Sequence, residues 1–253
     1  MEIDTYLERI NYTDSLKPDT QTLYGLHLAH MLAVPFENLD IGLKRPIHID
    51  ERSIWDKIVI SKRGGFCYEL NGLFAWLLKQ IGVDVTYLNA RVFNRDGELG
   101  SHFDHLTLLV QIPGQSSRWV ADVGFGDSFN EPLHLETGRE QHQGLRAYRI
   151  EQTVEGYIVW QKDYDGSWER QYFFDLQAHK FPDDYEVGCT YHQTSPKSSF
   201  THKNIISKAT PNGRVSLEHG KLILTKNGQR TERPVAGDED YRKLLKKHFD
   251  IEL

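Results

Sequence analysis

The chain has 253 residues, of which 39% are hydrophobic, so it can form a large buried core in one domain or in two to three small ones. Its formal net charge of −6 comes from 36 acidic and 30 basic residues spread along the chain, which argues against nucleic acid as a partner. No apolar run is long enough to span a membrane, and the amino terminus lacks a signal-peptide pattern. We therefore expect a cytoplasmic protein with no membrane partner.

The first 85 residues have the apolar spacing of helices. Helical segments are predicted over residues 20–34 and 54–59, and the segment Pro35-Phe36-Glu37-Asn38-Leu39 breaks the pattern between them. A third helix is predicted directly after Cys67, because the apolar residues that follow it have the spacing of one helical face: Leu70, Leu73, Phe74, Leu77, Leu78 and Ile81.

Cys67 is one of only two cysteines, and it follows Gly64 and Gly65 at the junction between a loop and this helix. The free backbone N–H groups and the positive dipole end of a helix favour a thiolate, which is the nucleophilic form of cysteine. The alternative is a buried and inert thiol. The second cysteine, Cys189, forms no C-x-x-C pair with it, so neither a disulfide framework nor a structural zinc site is indicated, and we interpret Cys189 as structural.

Beyond Gly82 the sequence has the alternating and β-branched pattern of strands. Strands are predicted over residues 83–93, 106–112, 118–123, 147–152, 157–162 and 168–174, at a spacing typical of a small sandwich or barrel. From about residue 191 a mixed region follows. We expect a helix or turn near Ser195-Pro196, strands over 204–208, 214–218 and 221–226, and a helix over 238–249.

A nucleophilic cysteine needs a base and a group that orients the base. His105 stands at the start of one predicted strand, and Asp122 is the one carboxylate in the apolar segment that follows the next turn. If the two strands pair through the turn at residues 113–118, His105 and Asp122 lie near the same end of a hairpin. Alternatively, His105 is an edge histidine bonded to backbone, and Asp122 caps the following turn.

Two other readings of this region have less support. His102 and His105 could bind a metal, but a spacing of three on a strand turns the rings to opposite faces and no further ligands accompany them. Gly124-Phe125-Gly126 is too short for a dinucleotide fingerprint, so a close backbone approach to a ligand, or a plain turn, is the better interpretation. We predict no metal site.

The sequence resembles the arylamine N-acetyltransferase family over nearly its full length. Residues 63–71 resemble the active-cysteine motif of the family, residues 35–39 its amino-terminal signature, residues 105–110 its histidine strand and residues 121–126 its aspartate turn. The segments 194–196, 199–201 and 209–213 resemble a carboxyl-terminal pattern of the same family.

The resemblance implies an α+β fold with a cysteine-protease-like core: a helical bundle over residues 1–85, a β-barrel over 86–190 and an α/β lid over 191–253. It implies that Cys67 is the acetylated nucleophile, His105 its base and Asp122 the orienting carboxylate. It also implies acetyl-CoA as acyl donor and a small aromatic amine or hydrazine as acceptor. Coenzyme A would contact Ser101, Gly124, Gly126 and Ser207, and the amine would contact Phe125, Val92 and Phe93.

Other functions remain open from the sequence. The same three residues could serve an amide synthase that closes a macrolactam, or a thiol hydrolase such as a protease or a transglutaminase-like enzyme. A binding module on an inactive scaffold is a third alternative, although the intact cysteine, histidine and aspartate argue against it. The oligomeric state is not predicted.

Overall fold

The computed structural model describes residues 1–253 and contains seven α-helices and thirteen strands. The helices are α1 (Ile3–Ile10), α2 (Thr20–Ala33), α3 (Leu39–Gly42), α4 (Glu51–Trp55), α5 (Cys67–Gln80), α6 (Glu186–Thr194) and α7 (Asp238–Phe249). The strands are β1 (Phe36–Glu37), β2 (Asp84–Val92), β3 (His105–Gln111), β4 (Arg118–Ala121), β5 (Leu133–His134), β6 (Gln141–Gln143), β7 (Arg146–Gln152), β8 (Tyr157–Lys162), β9 (Trp168–Phe174), β10 (Ile205–Thr210), β11 (Gly213–Glu218), β12 (Lys221–Lys226) and β13 (Gln229–Pro234).

Helix α5 is the centre of the amino-terminal region, because all of its residues from Cys67 to Leu78 are buried. Helix α2 begins where predicted, since the Asp19 carboxylate accepts a hydrogen bond from the Thr22 N–H at its amino end. The prediction of one helix over residues 54–59 needs correction: the short α4 runs on into a π-helical turn, Asp56–Ile60.

Eight strands form one antiparallel sheet in the order β5-β4-β3-β2-β9-β8-β7-β6. The sheet curls into a nearly closed barrel, and a bridge between Thr137 and Ile150 links the segment after β5 to β7. Strand β3 is buried on both faces: Leu106 and Leu108 belong to the core shared with α5, whereas Leu109 belongs to the core inside the barrel. This strand therefore joins the helical region to the barrel.

The carboxyl-terminal region is a five-stranded sheet in the order β1-β10-β11-β12-β13, covered on one face by α7. Strand β1 comes from the amino-terminal region and pairs with β10, with Phe36 opposite Ser207. The predicted helix or turn near Ser195 corresponds to the end of α6 at Thr194 and a 3₁₀ turn at Ser199–Thr201. The α+β class is confirmed, whereas the three-part division at residues 85 and 190 stays a prediction. None of the helices is long and apolar enough to cross a membrane.

Candidate active site

Cys67 occupies the first position of α5, as predicted, and only 4% of the residue is exposed. Glu69 fixes this end of the helix, because its Oε2 accepts a hydrogen bond from the Phe66 N–H at 3.1 Å. The loop before the helix approaches other backbone closely, because a Cβ on Gly64 would clash with the Pro35 carbonyl oxygen. Glycine at this position therefore permits the close backbone approach that places Cys67 in the interior.

The surroundings of Cys67 do not favour a thiolate by themselves. Burial raises the pKa of the Cys67 thiol well above its ordinary value, and the nearby carboxylates of Asp104 and Asp122 add to the rise. A hydrogen bond from the backbone N–H of Leu106 acts in the opposite direction. Ionisation of this sulfur therefore needs a nearby cation, and the neighbour of Leu106 in the chain is His105.

His105 and Asp122 meet as the hairpin prediction requires. Strands β3 and β4 pair with Gln111 opposite Arg118, and His105 Nε2 lies 2.6 Å from Asp122 Oδ2. Both side chains are buried. Burial opposes ionisation of Asp122, but the His105 charge and hydrogen bonds from Asn71 and Gly124 hold the pKa of this carboxyl below its ordinary value. Asp122 is therefore an anion within hydrogen-bonding distance of the imidazole.

Cys67 is tied to this pair through its own helix. Asn71, one turn after Cys67, donates from Nδ2 to Asp122 Oδ1 at 2.8 Å and to the Leu106 carbonyl oxygen at 2.6 Å. A Cβ on Gly124 would lie 2.9 Å from Cys67 Cα, so the turn after Asp122 passes directly over the start of α5. These contacts bring Cys67, His105 and Asp122 into one buried site.

Sequence reasoning did not assign a role to Asn71 or to His27. His27, in the middle of α2, is fully buried and accepts a hydrogen bond at Nε2 from the Asp122 backbone N–H at 3.2 Å. The spacing of four from Cys67 was a usable signal for Asn71, because residues four apart lie on one face of a helix. The contact of His27 with residue 122 depends on tertiary packing.

The comparisons with known proteins agree with this geometry. A family model described as "N-acetyltransferase" matches residues 19–253. The arylamine N-acetyltransferase of Escherichia coli (strain K12) is 34% identical over 88% of this chain and 76% of its own length. The chain belongs to the arylamine N-acetyltransferase family. Arylamine N-acetyltransferase 1 of Homo sapiens is 32% identical over 100% of this chain and 95% of its own length.

Solved structures of this acetyltransferase family have the same fold. The arylamine N-acetyltransferase from M. tuberculosis superposes with a TM-score of 0.93 at 31% identity and covers 99% of this chain and 94% of its own. The Mycobacterium marinum enzyme in complex with CoA superposes with a TM-score of 0.93 at 29% identity, covering 99% and 93% of the two chains. The family resemblance and the acyltransferase class inferred from the sequence are therefore confirmed.

The three residues that this family resemblance implies for amine binding differ in their contacts with the site. Phe125 packs edge-on against His105, with ring centroids 5.3 Å apart, and also contacts Tyr172. Val92 packs at the edge of the barrel core. The ring of Phe93, by contrast, lies 4.5 Å from the Arg170 guanidinium carbon. Its role in binding the amine stays a prediction.

The four residues predicted to contact coenzyme A are also placed differently. Gly124 lies against Cys67, as described above, and Gly126 has φ 95° and lies beside the Phe36 ring. Ser207 is buried in β10, and its hydroxyl contacts Arg214 at 3.0 Å. Ser101 is exposed in the loop before β3. A groove of about 1080 Å³ follows the carboxyl-terminal sheet beside this region, and its cationic lining residues are Lys208, Arg214 and Lys226.

Proposed function

We propose that this protein transfers the acetyl group of acetyl-CoA to the nitrogen of an arylamine through an acetyl-Cys67 intermediate. The observation that carries the proposal is the buried His105–Asp122 pair, with Nε2 2.6 Å from Oδ2, together with Cys67 at the first position of α5. Membership of the arylamine N-acetyltransferase family supports the choice of donor and acceptor. In this proposal Cys67 is the nucleophile, His105 the general base and Asp122 the residue that orients His105.

The first half-reaction begins with a proton transfer. Nε2 of His105 is bonded to Asp122, so Nδ1 is the ring nitrogen that is left to take the proton of the Cys67 thiol. Since burial disfavours an isolated thiolate, the thiolate and the imidazolium form together as a pair. The sulfur attacks the thioester carbonyl carbon, and the bond from that carbon to coenzyme A breaks. His105 then returns the proton to the departing coenzyme A thiolate.

The first turn of α5 offers donors for the charge that develops on the carbonyl oxygen. The first backbone N–H groups of a helix have no acceptor within the helix, and Cys67 and Tyr68 supply two of them. A donor that is aimed at such an oxyanion contributes about 2.7–4 kcal/mol in a comparable site. In this proposal the start of the helix stabilises the tetrahedral intermediate.

In the second half-reaction the amine nitrogen attacks the acetyl carbon of acetyl-Cys67, and the carbon–sulfur bond breaks. His105 accepts the proton that the nitrogen loses and returns it to the Cys67 sulfur. Aromatic amines suit this step because they are neutral near pH 7 and keep their lone pair available, and the same reasoning extends the proposal to hydrazines. The Phe125 ring, in contact with His105, gives the site an aromatic wall next to the base.

The groove beside Ser207 supports the proposed use of acetyl-CoA. Coenzyme A carries phosphate groups, and the cations Lys208 and Lys226 line this groove without a lining carboxylate, whereas Arg214 is paired with Asp127 at 2.8 Å. Ser207 is buried next to it and is bonded to Arg214. We therefore assign a coenzyme A contact to Ser207, and on the family resemblance we assign further contacts to Gly124, Gly126 and Ser101.

Mass spectrometry tests the central step. Incubation with acetyl-CoA alone should add one acetyl group, and digestion should place it on the peptide that contains Cys67. Cys67→Ser should give no adduct, whereas Cys189→Ala is the matched control and should be acetylated like the wild type. No adduct on the wild type, or an adduct on Cys189, would refute the proposal. Parallel double-reciprocal plots at several acetyl-CoA concentrations should accompany the adduct.

The rival activities differ in what they release. A thiol hydrolase would release acetate from acetyl-CoA in the absence of an amine, and a macrolactam synthase would require a tethered acyl chain. The relatives described above are named as arylamine N-acetyltransferases, so they favour neither alternative. Assay of acetate release with and without an arylamine separates hydrolysis from transfer.

A further inference from the structure

We infer that His27 is a positioning residue of the acyl-transfer site, which holds the backbone of Asp122 so that its carboxylate meets His105. The inference rests on the proposed roles of His105 and Asp122. It assigns to His27 no contact with substrate or with the reacting atoms. Its basis is a pair of hydrogen bonds that join α2 to the two ends of the loop after β4.

The hydrogen bond from the Asp122 N–H to His27 lies just beyond the end of the pairing between β3 and β4. The β3–β4 ladder ends with Leu108 opposite Ala121, so the next backbone donor, the N–H of Asp122, needs an acceptor from elsewhere. His27 Nε2 supplies that acceptor at 3.2 Å. The imidazole thus extends the hydrogen bonding of β4 by one residue and fixes the Asp122 backbone directly under its carboxylate.

The second hydrogen bond determines which way the His27 ring is protonated. Nδ1 lies 2.8 Å from the Asn130 carbonyl oxygen, which can only accept, so Nδ1 carries the proton and Nε2 has the free lone pair. Burial lowers the pKa of His27 to about 4, which keeps the ring neutral at pH 7. A charged ring could not accept from the Asp122 N–H and would offer Asp122 a second cation in competition with His105.

The ring itself is held in place by aromatic neighbours. Phe129 stacks on His27 with ring centroids 5.8 Å apart and planes 20° apart, and Phe74 of α5 packs edge-on at 5.7 Å. Phe129 belongs to the same loop as Asn130, so this loop contacts the imidazole through one stacked ring and one carbonyl oxygen. His27 is therefore oriented by α5 and the loop together.

His27 and Asn71 hold different parts of the same residue. Asn71 and the Gly124 N–H bind only Oδ1 of the carboxylate, at 2.8 and 3.0 Å. His27 fixes the backbone N–H of Asp122, and Asn71 and Gly124 fix Oδ1 of its carboxylate. Together these contacts determine the direction in which Oδ2 points toward His105. Loss of the backbone anchor should let the carboxylate shift, and a shift of about 1 Å in a catalytic group can reduce a rate by about 100-fold.

Two conservative variants test the inference. His27→Gln places an amide oxygen near the Nε2 position and can still accept from the Asp122 N–H, whereas the shorter Asn of His27→Asn reaches only toward the Nδ1 side. We expect His27→Asn to acetylate Cys67 on the order of 100-fold more slowly than the wild type, with an unchanged KM for acetyl-CoA. His27→Gln should recover most of that rate. Equal rates for the two variants would overturn the inference.

His30 provides the matched control, since it lies one turn further along α2, is equally buried and also packs edge-on against Phe74. Its one hydrogen bond is to the Tyr6 hydroxyl at 2.7 Å, so it forms none with Asp122 or with the loop after β4. His30→Gln should lower thermal stability without slowing acetylation of Cys67. If it slows acetylation as much as His27→Asn, the effect is general loosening of α2, and the positioning role is wrong.

A spectroscopic measurement decides the point without turnover. The proton in the short bond between His105 and Asp122 should give a downfield proton resonance in wild type, His27→Gln and His30→Gln, and this signal should be lost or shifted in His27→Asn. An unchanged signal in His27→Asn would refute the role. Failure of the wild type to form acetyl-Cys67 would refute the proposed function instead, and this resonance would still report on His27.

Discussion

Two clusters of buried or largely buried polar side chains flank the first turn of α5, and they differ in how their charges are paired. The charge cluster consists of Glu37, Asp40, Lys57, Arg63 and Glu69, and the site cluster consists of His27, Asn71, His105 and Asp122. The charge cluster has three carboxylates against two cations in direct contact. In the site cluster the one carboxylate, that of Asp122, is bound by the His105 imidazole and the Asn71 amide, and the His27 imidazole binds the backbone N–H of the same residue.

The difference shows how the same helix end serves both stability and chemistry. In the charge cluster the charged groups pair with one another: Arg63 binds Glu37 and Asp40, and Lys57 binds Asp40 and Glu69. In the site cluster the single carboxylate uses one oxygen to hold one nitrogen of His105, which leaves the other nitrogen for proton transfer. We therefore expect changes in the charge cluster to affect folding and changes in the site cluster to affect acetylation.

The largest effect should come from Asp122→Asn. An amide can donate a proton to His105 Nε2, which would force the proton onto Nδ1 and remove the base, and the corresponding change in a serine-protease triad reduces kcat by about 10⁴-fold. We expect a reduction of about this size in the rate of Cys67 acetylation, measured by rapid quench and mass spectrometry. Thermal stability should also fall, because the hydrogen bonds to the carboxylate weaken.

Asp40→Asn is the matched control for that change, since Asp40 is also a buried carboxylate but belongs to the charge cluster. The folded Asp40→Asn protein should acetylate Cys67 within several-fold of the wild-type rate. A comparable loss in the rate of Cys67 acetylation in both variants would contradict the separate roles of the two clusters.

The second effect concerns stability. Arg63→Met removes the guanidinium that contacts Glu37 at 2.7 Å and Asp40 at 3.2 Å, and it leaves the buried Glu37 carboxylate without its nearest cation, whereas Asp40 keeps Lys57 at 2.8 Å. Breaking a buried pair in this way costs about 3–5 kcal/mol. Urea unfolding should show a loss of this order in the free energy of unfolding, with little change in the acetylation rate of the folded protein.

Arg52→Met is the control, because the Arg52–Asp56 pair has side chains that are 73% and 46% exposed. Such an exposed pair contributes about 0–1 kcal/mol, so this variant should unfold almost like the wild type. If both arginine variants lose the same stability, burial of the charge cluster is not what stabilises the fold.

The sequence allowed much of this arrangement to be predicted, for identifiable reasons. Helix α5 has a regular apolar face, and β3 and β4 are apolar segments separated by a turn, so the positions of Cys67, His105 and Asp122 follow from local patterns. Helix α6 was not predicted as such, because only Gly188, Cys189 and His192 of its nine residues are buried. Strand β13 was missed because all its residues are exposed, so it lacks the alternation of a half-buried strand.

The partners of Asp122 were less accessible from the sequence. His27 and His30 are both fully buried in α2 and are only three positions apart, yet only His27 forms a hydrogen bond with Asp122. That choice depends on how α2 packs against a loop about a hundred residues later in the chain. The charge cluster likewise gathers residues from β1, α3, the π-helical turn and α5, which no local pattern relates.

The third prediction uses pH to separate the clusters. Burial raises the pKa of Glu69 to about 7, although Lys57 opposes the rise. Because the folded protein then binds a proton more tightly than the unfolded chain, Glu69 stabilises the fold fully below its ordinary pKa of 4.5, and this contribution is lost as the pH rises to about 7. The loss should be on the order of 3 kcal/mol.

Glu69→Gln should remove this dependence while keeping an acceptor for the Phe66 N–H. The difference in free energy of unfolding between variant and wild type, measured in urea at pH 5, 6, 7 and 8, should shift in favour of the variant as the pH rises. Asp122 titrates in the opposite sense, since its lowered pKa gives stability that is lost only as the pH falls below its ordinary value of 3.8. A difference between Glu69→Gln and wild type that does not vary with pH would contradict the raised pKa.

The smallest effect should come from Tyr172→Phe, which tests how far the site cluster extends. The Tyr172 ring packs against His105, its hydroxyl makes a long contact of 3.4 Å with Thr107 Oγ1, and burial together with the Asp122 carboxylate raises the pKa of this hydroxyl well above its ordinary value. Since the ring and its packing remain, we expect a loss of about 1 kcal/mol in stability and a small change in acetylation rate. A loss of 100-fold in rate would mean that the hydroxyl acts on Asp122, and the cluster that orients His105 would then include the barrel interior as well as α2 and α5.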